Sequence, residues 1–282
     1  MVRKLLAYLA ENSFTWFFLQ PFARAGTFMM QARNRKYWQK EQQKQQAHYE
    51  KVFHKIISAR TVLHGPFKGL RYPALLSSGS ALYPKLIGSY EREIHGVLEK
   101  ICNTNYSQVI NIGCAEGYYA VGLALRIPDA TIYAYDIDKA ARRLTTEMAR
   151  LNEVENRVKI GEACTNKILL TFPFSKKALI VCDCEGYENS LFDYAVIRNL
   201  TTCDLLIETH DFIEIETSMR LTNLFSSTHH VEAIKSIDDI EKSKTYNYEE
   251  AAGFDQATRK YLFREGRPAI MEWLFLTPKQ NA

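Results

Sequence analysis

Two groups of residues in this 282-residue chain combine types and spacing that could do chemistry. The first is Asn111-Ile-Gly-Cys-Ala-Glu-Gly117, closing the apolar run 109–112 and answered by Asp136 at the end of the next apolar run, 131–135. Glycines at a strand-to-helix turn let backbone come close to a ligand, and an acid at the following strand tip can accept hydrogen bonds from two ribose hydroxyls. The second group is Asp183-Cys-Glu-Gly-Tyr-Glu188 with Glu208-Thr-His-Asp211, each again behind an apolar run. Here His210, with an ordinary pKa near neutrality, can take a proton as general base, and Asp183 and Glu208 can share or orient that work. The same acids admit a second reading, in which Asp183, Glu208 and Asp211 are oxygen ligands to Mg2+. Glu185 and Arg267, the latter in the turn Arg264-Glu-Gly-Arg-Pro268, are expected to face an acceptor. Helix N-terminal charge for Glu185 and a plain hairpin loop for Arg267 are the duller alternatives.

The glycine spacing discriminates between adenosine cofactors. A dinucleotide fingerprint needs small residues at the first, third and sixth positions of the turn, where this chain has Gly113, Ala115 and Tyr118. A tyrosine there would hold the helix off the strand. Small residues at alternate positions, Gly113, Ala115 and Gly117, suit S-adenosylmethionine, which carries no phosphate. Expected cofactor contacts are Asn111, Gly113, Cys114, Ala115, Glu116, Gly117, Asp136 and Asp183. Glu162 and Ala163, beyond the third strand, are placed near the adenine, and Tyr90 and Glu91 at the methionine end. For these last two a surface helix start capped by Ser89 is the alternative.

Apolar runs at 109–112, 131–135, 157–160, 178–182 and 204–207, alternating with helical stretches, predict an α/β chain with a doubly wound sheet. Runs 231–234 and 272–276 have too little helix between them for a usual crossover and are expected to pair antiparallel at the sheet edge. The expected architecture is a Rossmann-like class I methyltransferase sheet with an antiparallel last strand, residues 61–282, behind a helical N-terminal extension, residues 1–60.

Segments 111–117, 183–188 and 206–211 resemble the FkbM family of S-adenosylmethionine-dependent methyltransferases, and the likeness extends from about residue 90 to 278. That resemblance implies O-methylation of a sugar hydroxyl in a glycan, glycolipid or glycosylated natural product. Two other classes stay open: an RNA or protein methyltransferase guided by the basic extension, and a non-catalytic module that binds the cofactor and serves assembly.

Six cysteines lie mostly singly in or beside apolar runs and read as buried thiols, consistent with a reducing cytoplasm. Residues 1–60 hold eleven Lys/Arg against three Asp/Glu, a balance of +8, so the remainder carries −4 of the overall +4. The aromatic stretch near residues 5–28 is broken by Glu11, Asn12, Gln20, Pro21 and Arg24, too often for a membrane span. Residues 1–57 are expected either to pack on the body or on a second copy, or to place the protein peripherally on a membrane surface. Nucleic acid is disfavoured, because Tyr37 and Trp38 are the only stacking aromatics among the basic residues of 33–44.

Overall fold

A computed structural model describes residues 2–174 and 177–279, with no account of the side chains of residues 2–6. The chain divides into two compact units, 1–54 and 55–282.

The first unit is helical. Helix Val2–Glu11 ends at Asn12, whose side chain accepts from the backbone N–H groups of Phe14 and Thr15 and so starts helix Ser13–Val52. This 40-residue helix runs on through Pro21, and none of its residues is buried. Among the described residues no helix is long and apolar enough to cross a membrane.

The second unit is a seven-stranded sheet: β1 Gln108–Ile112, β2 Thr131–Tyr135, β3 Val158–Gly161, β4 Ala178–Cys182, β5 Cys203–Thr209, β6 His229–Lys235 and β7 Glu272–Pro278. Its spatial order is β3-β2-β1-β4-β5-β7-β6. The first five strands are parallel, and β7 runs antiparallel between β5 and β6. This is the Rossmann-like class I methyltransferase arrangement. All residues of β4 and β5 are buried, as near-continuous apolar strands covered on both faces must be. Ile110, Ile180, Leu205 and Ile207 meet Leu191, Phe192, Leu221 and Phe225 from the covering helices in one core cluster.

One expectation needs correction. The link between β6 and β7 does contain helix, Asp239–Thr245 and Gln256–Phe263, capped by Asp238 and Asp255. Pairing is antiparallel even so, because β7 returns in the slot beside β5 rather than continuing outward. That link also delivers Glu265 and Arg267 to the strand tips.

Candidate active site

A cavity of about 850 Å3 lies over the tips of the parallel strands. At the β1 tip Gly113 has φ +77°, and a Cβ there would lie 1.6 Å from the Asp183 carbonyl oxygen. Only glycine lets the loops after β1 and β4 come this close. Ala115, also left-handed at φ 48°, donates its N–H to Asp136 Oδ2 at 2.9 Å, while Asp136 Oδ1 takes the N–H of Asp138 at 2.8 Å. Each carboxylate oxygen keeps a further lone pair for a ribose hydroxyl. Gly113, Cys114, Ala115, Asp136, Glu162, Ala163, Asp183 and Tyr90 all line the cavity. The enclosure, the glycine-permitted approach and the acid at the β2 tip fit S-adenosylmethionine.

Four expected cofactor residues stand elsewhere. Asn111 is wholly buried in β1, where its amide donates to the Val181 carbonyl. Gly117 caps the next helix, Tyr118–Arg126, outside the lining. The Glu116 carboxylate is consumed by Lys85 Nζ at 2.6 Å, Ser77 Oγ at 2.9 Å and the Ser78 N–H at 3.0 Å. Burial alone would raise its pKa, but Lys85 and these donors hold it below the usual value. Glu116 therefore anchors the segment that brings Ser78, Gly79, Ser80 and Lys85 to the cavity. Glu91 lies beneath the cavity, fully buried, with Tyr119 donating to it and Arg267 Nη2 at 2.6 Å.

The far end of the cavity is built by β4 and β5. His210 is 2% exposed; its Nδ1 lies 2.8 Å from Oε1 of the fully buried Glu188. A carboxylate there places the proton on Nδ1 and leaves Nε2 as the basic atom. Nε2 faces Asp183 at 3.5 Å, Glu185 at 3.6 Å and Glu208 at 3.9 Å. Burial pulls the imidazole pKa down, but the Glu188 hydrogen bond and the charges of Glu188, Glu208 and Glu185 outweigh it, and the net shift is upward. Burial, then the Glu91 charge, pushes Asp183 up to about 7. Burial and Asp183 push Glu208 up to about 8.

Arg267 lines the cavity but is not available to an anion. Its guanidinium is taken by Glu91, Glu208 and Glu265. Those three contacts tie the segment before β1, the β5 tip and the turn before β7 into one ionic clamp. Glu265 in turn meets the buried Lys242 at 2.5 Å. The expected metal set is not brought together either, since Asp211 Oδ1 accepts the Ser218 N–H and lies outside the lining. Asp183, Glu185 and His210 instead each offer one ligand atom within 4.8 Å of the others.

Sequence reading missed Glu188 as the partner of His210, Lys85 and Ser78 on the near wall, and Tyr118, Tyr119, Phe212 and Glu265. A signal existed for Glu188 alone, inside the Asp-x-Glu-Gly-x-Glu motif, where helix N-terminal charge is the simpler explanation. Glu265, Tyr118 and Phe212 lie in or beside segments already singled out, but no spacing marks them, and the rest carry no chemical pattern.

Residues 96–183 match the model of the ribosomal protein L11 methyltransferase (PrmA) family. No curated protein matches the chain. Among solved structures, a precorrin-6y C5,15-methyltransferase from Geobacter metallireducens is similar at 12% identity, covering 69% of this chain and 90% of that one, with a TM-score of 0.47. The O-methyltransferase TomG from Streptomyces achromogenes, in complex with S-adenosylmethionine, is similar at 9% identity, covering 69% and 82%, with a TM-score of 0.46. The sheet order, the cavity over the strand tips and the family match over residues 96–183 define a class I, S-adenosylmethionine-dependent methyltransferase.

Proposed function

We propose that the chain is an O-methyltransferase of the FkbM type, acting on a hydroxyl of a sugar, glycan or glycoconjugate. The observation that carries this reading is the Glu188–His210 pair, which presents a basic Nε2 to the same cavity that Gly113 and Asp136 border. When bound, the cofactor's sulfonium supplies an activated methyl group. The protein must align the acceptor oxygen with it and remove the acceptor's proton. His210 Nε2 takes that proton, Glu188 stabilises the imidazolium, and Asp183 and Glu185 orient the hydroxyl.

Charge narrows the acceptor. Among the described lining residues the Lys/Arg side chains are Lys85 and Arg267, and both are neutralised by buried carboxylates. With those two cations already paired and Asp183 and Glu208 raised toward and above neutrality by burial, the corner beside the transferred methyl offers an anionic acceptor no free counter-charge, so the reacting part of the acceptor is a neutral hydroxyl. The family match favours a second reading, a protein acceptor. That match ends at Asp183, before Glu188, Glu208 and His210, and so describes the cofactor half.

The test is transfer of labelled methyl from S-adenosylmethionine to neutral glycosides, lipid-linked glycans, nucleotide sugars, RNA and ribosomal protein. Label in the neutral glycans that is lost in His210→Ala supports the proposal. Label in RNA or protein alone overturns it.

A further inference from the structure

We infer that helix Ser13–Val52 is a monotopic anchor that lies on an anionic bilayer surface, a role independent of the reaction proposed above. A 40-residue helix is about 60 Å long, and this one buries none of its residues. Its side chains divide into two blocks. Residues 13–31 carry one charge, Arg24, and expose Phe14, Phe17, Phe18, Phe22, Phe28 and Met29 at 59–76% each. At 3.6 residues per turn, Gln20, Arg24, Thr27 and Gln31 fall on one narrow strip, and aromatic and aliphatic side chains cover most of the remaining circumference. A protein groove takes a single apolar stripe, whereas a helix apolar over most of its surface suits insertion among acyl chains with the polar strip toward water.

The second block decides which surface. From residue 33 to 51 the helix carries Arg33, Arg35, Lys36, Lys40, Lys44 and Lys51 against Glu41 and Glu50. This excess of four positive charges complements anionic headgroups, and the exposed Tyr37 and Trp38 within the basic block suit the headgroup boundary. Among the described residues no helix is long and apolar enough to span; the apolar block and the cationic block together set this one in the interface.

The test is sedimentation of the full chain with vesicles of phosphatidylcholine, alone or with one quarter phosphatidylglycerol. The parent should partition onto the anionic vesicles at least about tenfold better, and the preference should shrink as salt screens exposed charge. R33Q/R35Q/K36Q/K40Q should lower binding to anionic vesicles by roughly a hundredfold or more. F14S/F17S/F18S/F22S should abolish binding to both kinds. Thermal unfolding and cofactor binding should match the parent in both variants. Failure of the parent to sediment, or equal sedimentation of all three proteins, overturns the inference. Self-association that rises with concentration without vesicle binding, and that the serine variant loses, would replace lipid by a second copy of the chain.

Discussion

The two ends of the cavity are made by different physics. At the tips of β1 and β2 the work is done by backbone: Gly113 and Ala115 in left-handed conformations, and a partly exposed Asp136 that also braces its own loop. At the tips of β4 and β5 it is done by buried charge: Glu188, Glu208, Glu91 and Glu265 around His210 and Arg267. A binding end can tolerate solvent because a large ligand brings many contacts. A proton-transfer end needs few groups in a dry, fixed arrangement, since that is where their charges interact strongly enough to shift one another. Each substitution below tests one side of this contrast.

Arg267→Ala should have the largest effect. Three buried carboxylates lose their common partner, and breaking a buried ion pair from one side costs about 3–5 kcal/mol. Denaturant unfolding should show that loss, with Glu208→Gln in the same background restoring part of it. A variant of parental stability would mean that the clamp is not structural and that Arg267 is free for an acceptor.

His210→Ala should lower turnover by roughly a hundredfold or more while leaving cofactor affinity unchanged, as loss of a general base requires. Because the folded pKa of His210 is raised, the neutral, active imidazole appears only above the ordinary histidine range, and turnover should climb with pH through a step there. Glu188→Gln should move that step downward. A chelator should leave turnover unaffected; activity that vanishes with it and returns with Mg2+ would shift the role of Asp183, Glu185 and His210 from proton transfer to metal binding.

Asp136→Ala should weaken S-adenosylmethionine binding by about tenfold or more, measured by calorimetry, through loss of charged hydrogen bonds to the ribose. The fold should survive, because Asp136 is partly exposed and braces a loop rather than the core. Unchanged affinity would remove the cofactor assignment from this end.

This contrast also explains what was legible. The β1 turn and Asp136 could be read because a local backbone requirement leaves a local residue pattern, and β4 and β5 could be read because strands buried on both faces are continuous apolar runs. The Arg267 clamp joins residues 91, 208, 265 and 267, which no spacing rule connects, and Glu116 has the same address as a cofactor ligand while its carboxylate points to Lys85. Tertiary pairing of charges leaves no periodic trace.

The pH dependence of stability is the most direct measure of charge burial at the β4 and β5 end. Asp183 has a folded pKa of about 7 against an ordinary 3.8, so the protonated carboxyl is the form that the fold prefers. Its contribution to stability is complete below pH 3.8, is lost as pH rises, and is gone above about 7, where the folded chain must hold the carboxylate. Asparagine resembles the protonated form at every pH, and it also removes the like charge that adds to burial in raising Glu208. Asp183→Asn should therefore melt progressively above the parent as pH rises from about 4 to about 7, by several degrees, with the difference flat at higher pH. Melting curves for the two proteins at matched pH cancel the background from other carboxylates. A difference that does not change with pH would mean that Asp183 is ionised at ordinary cost, and the acid corner would then be as solvent-like as the cofactor end.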